Sequence, residues 1–445
     1  MKSRLSIFAL TLLVLTSCQG TTSQTQYREA LTLSVIETIE ERQFRYEGRT
    51  GMPASGDIRV RVIPIEIPDH PFPIDYQSTL DSAFNGDPTT IGWESVASFY
   101  QKSSYGKLRL QFDISSKYIL PNTSDYYEEY ENYGDYYAFM DILPMLDGGD
   151  FVNDDANQDQ VIDSVIFIYS TPSNYELFPW WAWVSTFDDL PPLTPNDWEL
   201  DLGYYMWAGY DFLFSRSLGT DVFYDPTTYI HEVGHLLGLP DLYPYSGGTG
   251  PLGGWDMMDF NTGDHGPFNK MLLGWLTPLY LDQVADYEVT LDSYALTNDG
   301  TNSALIIPAP NANLLDGDIY DEFLLVMYYT PDGLYEQTLA FEPSLTERGI
   351  VIYHVNAHVN PGMSGWEMFG FNNDQGSPFL ISILEVDLNS SIPSKTNLIR
   401  NQDVLLEGAF DCSTYLWHSG ERMTVELVLD DLNSTQANLL IHMGV

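Results

Sequence analysis

The chain is 445 residues long with 44% apolar and 14% aromatic residues, which is enough to build large cores and excludes a globally disordered protein. It carries 63 acidic against 18 basic side chains, a formal charge of −45, and this excludes nucleic acid and anionic membrane surfaces as partners. Cys18 and Cys412 are the only cysteines, so a disulfide framework is excluded too.

The first segment reads as an export signal. Lys2 and Arg4 precede an apolar run from Leu5 to Leu15, which is too short for a comfortable membrane span. It ends in Leu15-Thr16-Ser17-Cys18, which looks like a bacterial lipobox. Residues 1–17 are then a lipoprotein signal peptide, and Cys18 is lipidated as the first mature residue. The expected location is the extracellular face of a bacterial membrane, with the lipid as the only membrane contact. Gln19 is not the aspartate that signals inner-membrane retention. Residues 18–56 follow as a lipid tether and short N-terminal segment. QGTTSQTQ (19–26) is polar and of low complexity, 27–45 has apolar spacing for one helix, and 48–56 is a loop. With Cys18 lipidated, Cys412 has no partner and reads as a small buried hydrophobe.

IRVRVIPIEI (58–67) alternates and is rich in branched residues, so a strand is expected. The 94–105 segment has helical spacing, and KLRLQFDI (107–114) reads as a second strand. Asp155, Asn157, Asp159 and Asp163 place short oxygen-bearing side chains at positions 1, 3, 5 and 9 of a loop. Such a pattern suits calcium, which takes six to eight oxygens. Gln160 stands where an EF-hand has glycine and Ile166 where it has an acid, so this is not an EF-hand. A solvated polar loop in a very acidic protein is the other reading. VIDSVIFIYS (161–170) is a continuous apolar run, expected as a buried strand. Residues 203–230 are aromatic and read as loop.

HEVGHLLGLPD (231–241) carries the chemistry. Positions four apart on a helix lie nearly above one another, so His231 and His235 can point two imidazoles at one metal ion. Glu232 beside them is the candidate catalytic base. Gly238 and Pro240 mark the end of the helix, and Asp241 can swing back as a third ligand. Asp259, Asp256 or a more distant acid could compete for that place. Two imidazoles, a carboxylate and an open position suit catalytic zinc. Further on, GGWDMMDFN offers Met258, with Met257 as the neighbouring alternative. His265, in DHGPF, could line a cleft, although a lone loop histidine is more often solvated. His354, in VIYHVN, reads as a satisfied structural histidine.

This arrangement resembles the metzincin pattern of a zinc motif followed by a Met-turn. In particular it is similar to the immune inhibitor A family (M6) of secreted bacterial metallopeptidases, which read HExxHxxGxxD and then a W-D-x-M turn. The stretches 94–110, 155–170, 269–276 and 348–356 resemble that family as well, so the likeness covers about 57–360. It implies that Asp241 is the third zinc ligand and Met258 the Met-turn residue. Two departures stand out. The N-terminal segment is shorter than the usual propeptide, and WWAWVS near 180 replaces a frequent W-x-H.

From residue 281 onward short strand-like runs recur at 287–291, 302–309, 322–329, 349–355, 379–386, 423–429 and 437–443. The expected fold class is therefore α+β. A metzincin-like catalytic domain (57–280), with a mixed sheet and a zinc-binding helix, precedes a β-rich, sandwich-like region (281–445). Part of 281–360 is expected to pack on the catalytic domain. The expected function is that of a surface-anchored zinc endopeptidase acting on protein or peptide substrates, with calcium as a possible second ion. The alternative is a non-catalytic binding or adhesive lipoprotein on a peptidase-like scaffold.

Overall fold

The computed structural model describes residues 51–130, 133–187, 198–214, 224–245, 250–281, 283–310, 312, 314, 321–336, 345–357, 373, 379–387 and 398–444. The signal segment, Cys18, the tether and the 27–45 helix lie outside the described residues. The fold is α+β. Among the described residues no helix is long and apolar enough to cross a membrane.

The first half is built on one sheet. Its strands are β1 (Gly56–Glu66), β2 (Leu108–Ile114), β3 (Val165–Tyr169), β4 (Trp183–Thr186) and β5 (Tyr204–Gly209), with the short strand Tyr118–Ile119 pairing parallel with the end of β1 off the main path. They lie in the order β2-β1-β3-β5-β4, and all pairs are parallel except β4 with β5. A strand's side chains alternate between faces, and here that alternation separates two cores. Ile58, Val60 and Val62 of β1, Ile166 and Ile168 of β3, and Met206 and Ala208 of β5 face one core. Helices α1 (Tyr76–Asn85), α2 (Val96–Ser103) and α3 (Thr227–Leu236) cover it. Ile63, Ile65, Val165, Phe167, Tyr205 and Trp207 face the other core, covered by the helix Gly134–Ile142. The α2 start is fixed by a capping box, in which Ser95 and Ser98 exchange side-chain and backbone hydrogen bonds at 3.2 and 2.9 Å.

Two sequence expectations need correction. The loop expected over 203–230 contains β5, a central strand. Both of its faces are buried, so it lacks the polar alternation that marks a half-exposed strand. The run 161–170 is not one strand, because Asp163 and Ser164 separate a short bridge at Val161–Ile162 from β3.

The second half has two sheets. The first holds β6 (Thr277–Tyr280), β8 (Thr301–Pro308), β9 (Glu322–Tyr329), β10 (Gly349–Asn356) and β11 (Ile381–Ile383), in the order β11-β10-β9-β8-β6. The second holds β7 (Asp286–Asp292), β12 (Gly408–Asp411), β13 (Val425–Leu432) and β14 (Gln436–Met443). All eight residues of β9 are buried. Phe323, Leu325, Met327 and Tyr329 enter the core that holds α3, whereas Leu324, Val326 and Tyr328 meet the second sheet. The five-stranded sheet is thus a middle layer, and its packing on the first half agrees with the expectation for part of 281–360. Cys412 is fully buried in the outer core, and burial followed by the Asp411 charge pushes its thiol up to about 12.

Candidate metal centre

Asp225 precedes α3 and accepts hydrogen bonds from the Thr227 amide (3.0 Å) and hydroxyl (2.6 Å). The helix presents Tyr229, Ile230, Val233 and Leu236 to the core. It ends at Gly238, whose φ of +87° suits a residue without a Cβ. There the Leu239 amide reaches back to the Gly234 carbonyl at 2.9 Å, which satisfies a carbonyl that the helix leaves open. This turn brings the chain back over its own last turn, and Asp241 arrives at the histidines.

His231, His235 and Asp241 are all buried, and one ligand atom from each lies within 4.8 Å of the others. The Asp241 Oδ1 is 3.0 Å from His231 Nε2 and 3.3 Å from His235 Nε2. The opposite ring nitrogens are occupied. His231 Nδ1 is 2.8 Å from the Met257 carbonyl and His235 Nδ1 is 2.7 Å from the Leu239 carbonyl. A carbonyl only accepts, so each Nδ1 donates, and each Nε2 of a neutral ring is left as a lone pair aimed at the carboxylate. Three electron-rich atoms brought this close require positive charge between them. Burial alone would lower the His235 pKa, but the Asp241 carboxylate outweighs burial and lifts it to about 9. Burial would likewise raise Asp241, yet His235 and His231 hold its carboxyl far below the usual range. Divalent metal answers the same demand, and backbone carbonyls holding the outer nitrogens are the usual support of histidine ligands. The donor set fits a metal ion. Neither Asp256 nor Asp259 converges on the histidines in this way. Asp256 accepts from the Met258 and Gly266 amides, each at 2.7 Å, and Asp259 accepts from the Gly254 amide at 2.7 Å. Burial raises both of these carboxyls to about 7.

Met258 is fully buried. A Cβ built on Gly234 would lie 2.5 Å from the Met258 sulfur, so the methionine packs directly against α3 between the two histidines. The Met258 carbonyl also accepts from the Leu242 amide at 2.8 Å, tying the Asp241 turn to the segment that holds Met258. Two contributions were not expected from sequence. The Met257 carbonyl orients His231, and the Tyr245 hydroxyl donates to Asp241 Oδ2 at 2.9 Å. Neither leaves a sequence signal, since one is backbone and the other lies in an ordinary LYPY turn.

A cavity of about 320 Å³ opens beside the triad, with His231, Glu232, Tyr243 and Asp259 among its lining. Burial raises the Glu232 carboxyl, against the pull of His235 and His231. Trp181, within the WWAWVS departure, and Phe212 also line it, and neither was expected there from sequence.

His265 is neither solvated nor in the cleft. It is fully buried, with both ring nitrogens lacking a hydrogen-bond partner, and its ring meets Phe99 edge-on at 5.5 Å. Burial drives its pKa well below the ordinary value, so it is neutral. His354 is the expected structural histidine, with Nε2 2.8 Å from Glu322 Oε1.

In the acidic loop, Asp155 accepts from the Asp159 and Gln160 amides at 3.1 and 3.0 Å, Asn157 from the Asp159 amide at 3.2 Å, and Asp159 from the Val161 amide at 2.9 Å. Asp163 is 2% exposed, and its Oδ2 accepts from the Ala156 amide at 2.8 Å while Oδ1 has no hydrogen-bond partner. Burial, then the Asp155 and Asp159 charges, push the Asp163 carboxyl up to about 7. Among the described residues only the His231–His235–Asp241 group converges as a metal-holding triad, so the loop carboxylates are not gathered in the same way.

No protein-family model matches this chain, and no curated protein is significantly similar to it.

Proposed function

We propose that the chain is a zinc-dependent endopeptidase of the immune inhibitor A type. Its first half would be the metzincin-like catalytic unit and its two later sheets a sandwich-like companion. The observation that carries the reading is the buried convergence of His231, His235 and Asp241 on one point, with Glu232 lining the cavity beside them. Two imidazoles and a carboxylate are a zinc donor set that leaves a coordination position open. Bound zinc supplies a water of lowered pKa and polarises a peptide carbonyl. The chain's own groups do the rest. Glu232 takes a proton from water at its carboxylate and delivers it to the departing amine. Tyr245 holds the outer oxygen of Asp241, and Met257 fixes the tautomer of His231. A binding protein on the same scaffold has no use for Glu232.

The test is Glu232→Gln, which spares every metal ligand. Metal analysis of the purified variant should find zinc as in the wild type, and peptide hydrolysis should fall by at least about 100-fold. Wild-type hydrolysis in the variant would overturn the proposal. The N-terminal sequence supports a lipid-anchored protein on the cell surface. Cys18→Ser should then leave the membrane fraction, and a variant that still pellets after a salt wash would refute the anchor.

A further inference from the structure

The cavity beside the metal triad has two unlike sets of lining residues. One set is polar and acidic, with His231, Glu232 and Asp259. The other is aromatic, with Trp181, Phe212 and Phe260. Trp181 and Phe212 of the aromatic set are held in place. The Tyr169 hydroxyl at the end of β3 donates to the Trp181 carbonyl at 3.1 Å. Ser173 donates its amide and hydroxyl to Asp211 at 2.9 and 2.6 Å, which clips the 170s loop to the 3₁₀ turn Tyr210–Phe214. As a result Trp181 meets Phe212 edge-to-face at 5.2 Å, and Tyr175 meets Trp181 at 5.5 Å. Trp181 and Phe260 are each 40% exposed, so both retain ring surface for a ligand. Among the described lining residues there is no lysine or arginine, and the two acids are Glu232 and Asp259.

We infer that this cleft selects peptides with a large apolar or aromatic side chain at one position flanking the cleaved bond, seated against Trp181, Phe212 and Phe260, and rejects an acidic side chain there. This rests on the peptidase reading above. Rigid rings offer apolar area at little ordering cost, while a substrate carboxylate would face Glu232 and Asp259 without a cation to offset it. One methylene in an apolar pocket is worth about 10- to 200-fold in discrimination. Phenylalanine over alanine should therefore reach at least about 100-fold in kcat/KM.

Two measurements test this. Digestion of a peptide library by the zinc-loaded protein should show Phe, Tyr, Leu and Met enriched at one flanking position, with Asp and Glu depleted. In Trp181→Ala the Phe-over-Ala ratio should fall at least about tenfold. Phe260→Ala gives the same test should Trp181→Ala fail to fold. Calorimetry on Glu232→Gln, which reads binding without turnover, should show the Phe peptide bound at least about tenfold more tightly than its Ala analogue. Cleavage without side-chain preference, or an unchanged ratio in both variants, overturns the inference and leaves the peptidase reading intact. If the wild type cleaves nothing, the peptidase reading falls, and equal calorimetric affinity for the two peptides then overturns this inference on its own.

Discussion

Gly234 and Met258 test whether the Met258 side chain is a packing device for α3. A Cβ at residue 234 would sit 2.5 Å from the Met258 sulfur, 3.2 Å from its methyl carbon and 3.4 Å from the Tyr100 hydroxyl. Tyr100 cannot retreat freely, because its hydroxyl donates to the Ile230 carbonyl at 2.6 Å. Gly234→Ala therefore displaces a fully buried methionine, an overpacking cost of about 1–3 kcal/mol. The helix gains about 1 kcal/mol from replacing glycine by alanine. The net expectation is a loss of about 0–2 kcal/mol in the single variant. Met258→Ala alone should cost about 2–5 kcal/mol through the cavity it leaves. In the Met258→Ala background the obstruction is gone, so Gly234→Ala should become stabilising by about 1 kcal/mol. Denaturant unfolding of the four proteins in chelator, which keeps metal out of the cycle, measures the coupling. An effect of Gly234→Ala that is the same with and without Met258 would refute the contact.

Lys270 is fully buried, with its ammonium 2.5 Å from Asp264 Oδ2 and over the rings of Tyr105 (4.2 Å) and Tyr294 (4.5 Å). Lys270→Ala strands the Asp264 charge and should cost about 3–5 kcal/mol by denaturant unfolding. The Asp163 carboxyl is raised to about 7 in the fold from an ordinary 3.8. Its protonated form is the favoured one, so its stabilising contribution is full below about 4 and is lost as pH rises to about 7. In calcium-free buffer Asp163→Asn should flatten the pH dependence of unfolding over that window, and an unchanged profile would count against it. If the loop binds calcium, added ion should raise the melting temperature of the wild type and much less that of Asp155→Ala/Asp159→Ala at fixed zinc occupancy. At a hundredfold excess over Kd the gain is about 2.7 kcal/mol, and equal shifts in both proteins would reduce the loop to a solvated turn.

The parts legible in the sequence were those with local causes. The strand expected at 58–67 is β1, the helix expected at 94–105 holds α2, and the run 322–329 is β9. The candidate metal residues were legible because helical spacing and the Gly238 turn bring His231, His235 and Asp241 together within eleven residues, whereas the Met257 and Met258 carbonyls that steady them come from further along the chain. Elements that depend on distant partners were not. The helix Gly134–Ile142 buries Gly134, Ala138, Phe139 and Ile142 in a tyrosine-rich stretch with no clean apolar stripe. His265 looked solvated because the rings that bury it, Phe99, Tyr100 and Trp275, come from elsewhere in the sequence. Trp181 and Phe212 meet only through the Ser173–Asp211 clip. For 379–386 the strand is confined to Ile381–Ile383.

The join between the two halves has a consequence for a chain read as a peptidase. Any such enzyme is exposed to its own activity, and an extended, solvated connector is the segment it would nick first. Here Trp275, Leu276 and Leu281 are fully buried, and β6 between them pairs parallel with β8, with a shift of register between Thr301 and Leu305. The Trp275 indole donates to the Ala54 carbonyl at 2.6 Å and the Tyr294 hydroxyl to the His265 carbonyl at 2.7 Å, so both sides of the join are stitched across it. A cleft that needs a substrate in extended form cannot draw this segment out without opening two cores together. For a chain with that activity, self-digestion within 275–281 would be limited by unfolding of the middle sheet, and the exposed run 283–286 just beyond it would be the point of attack.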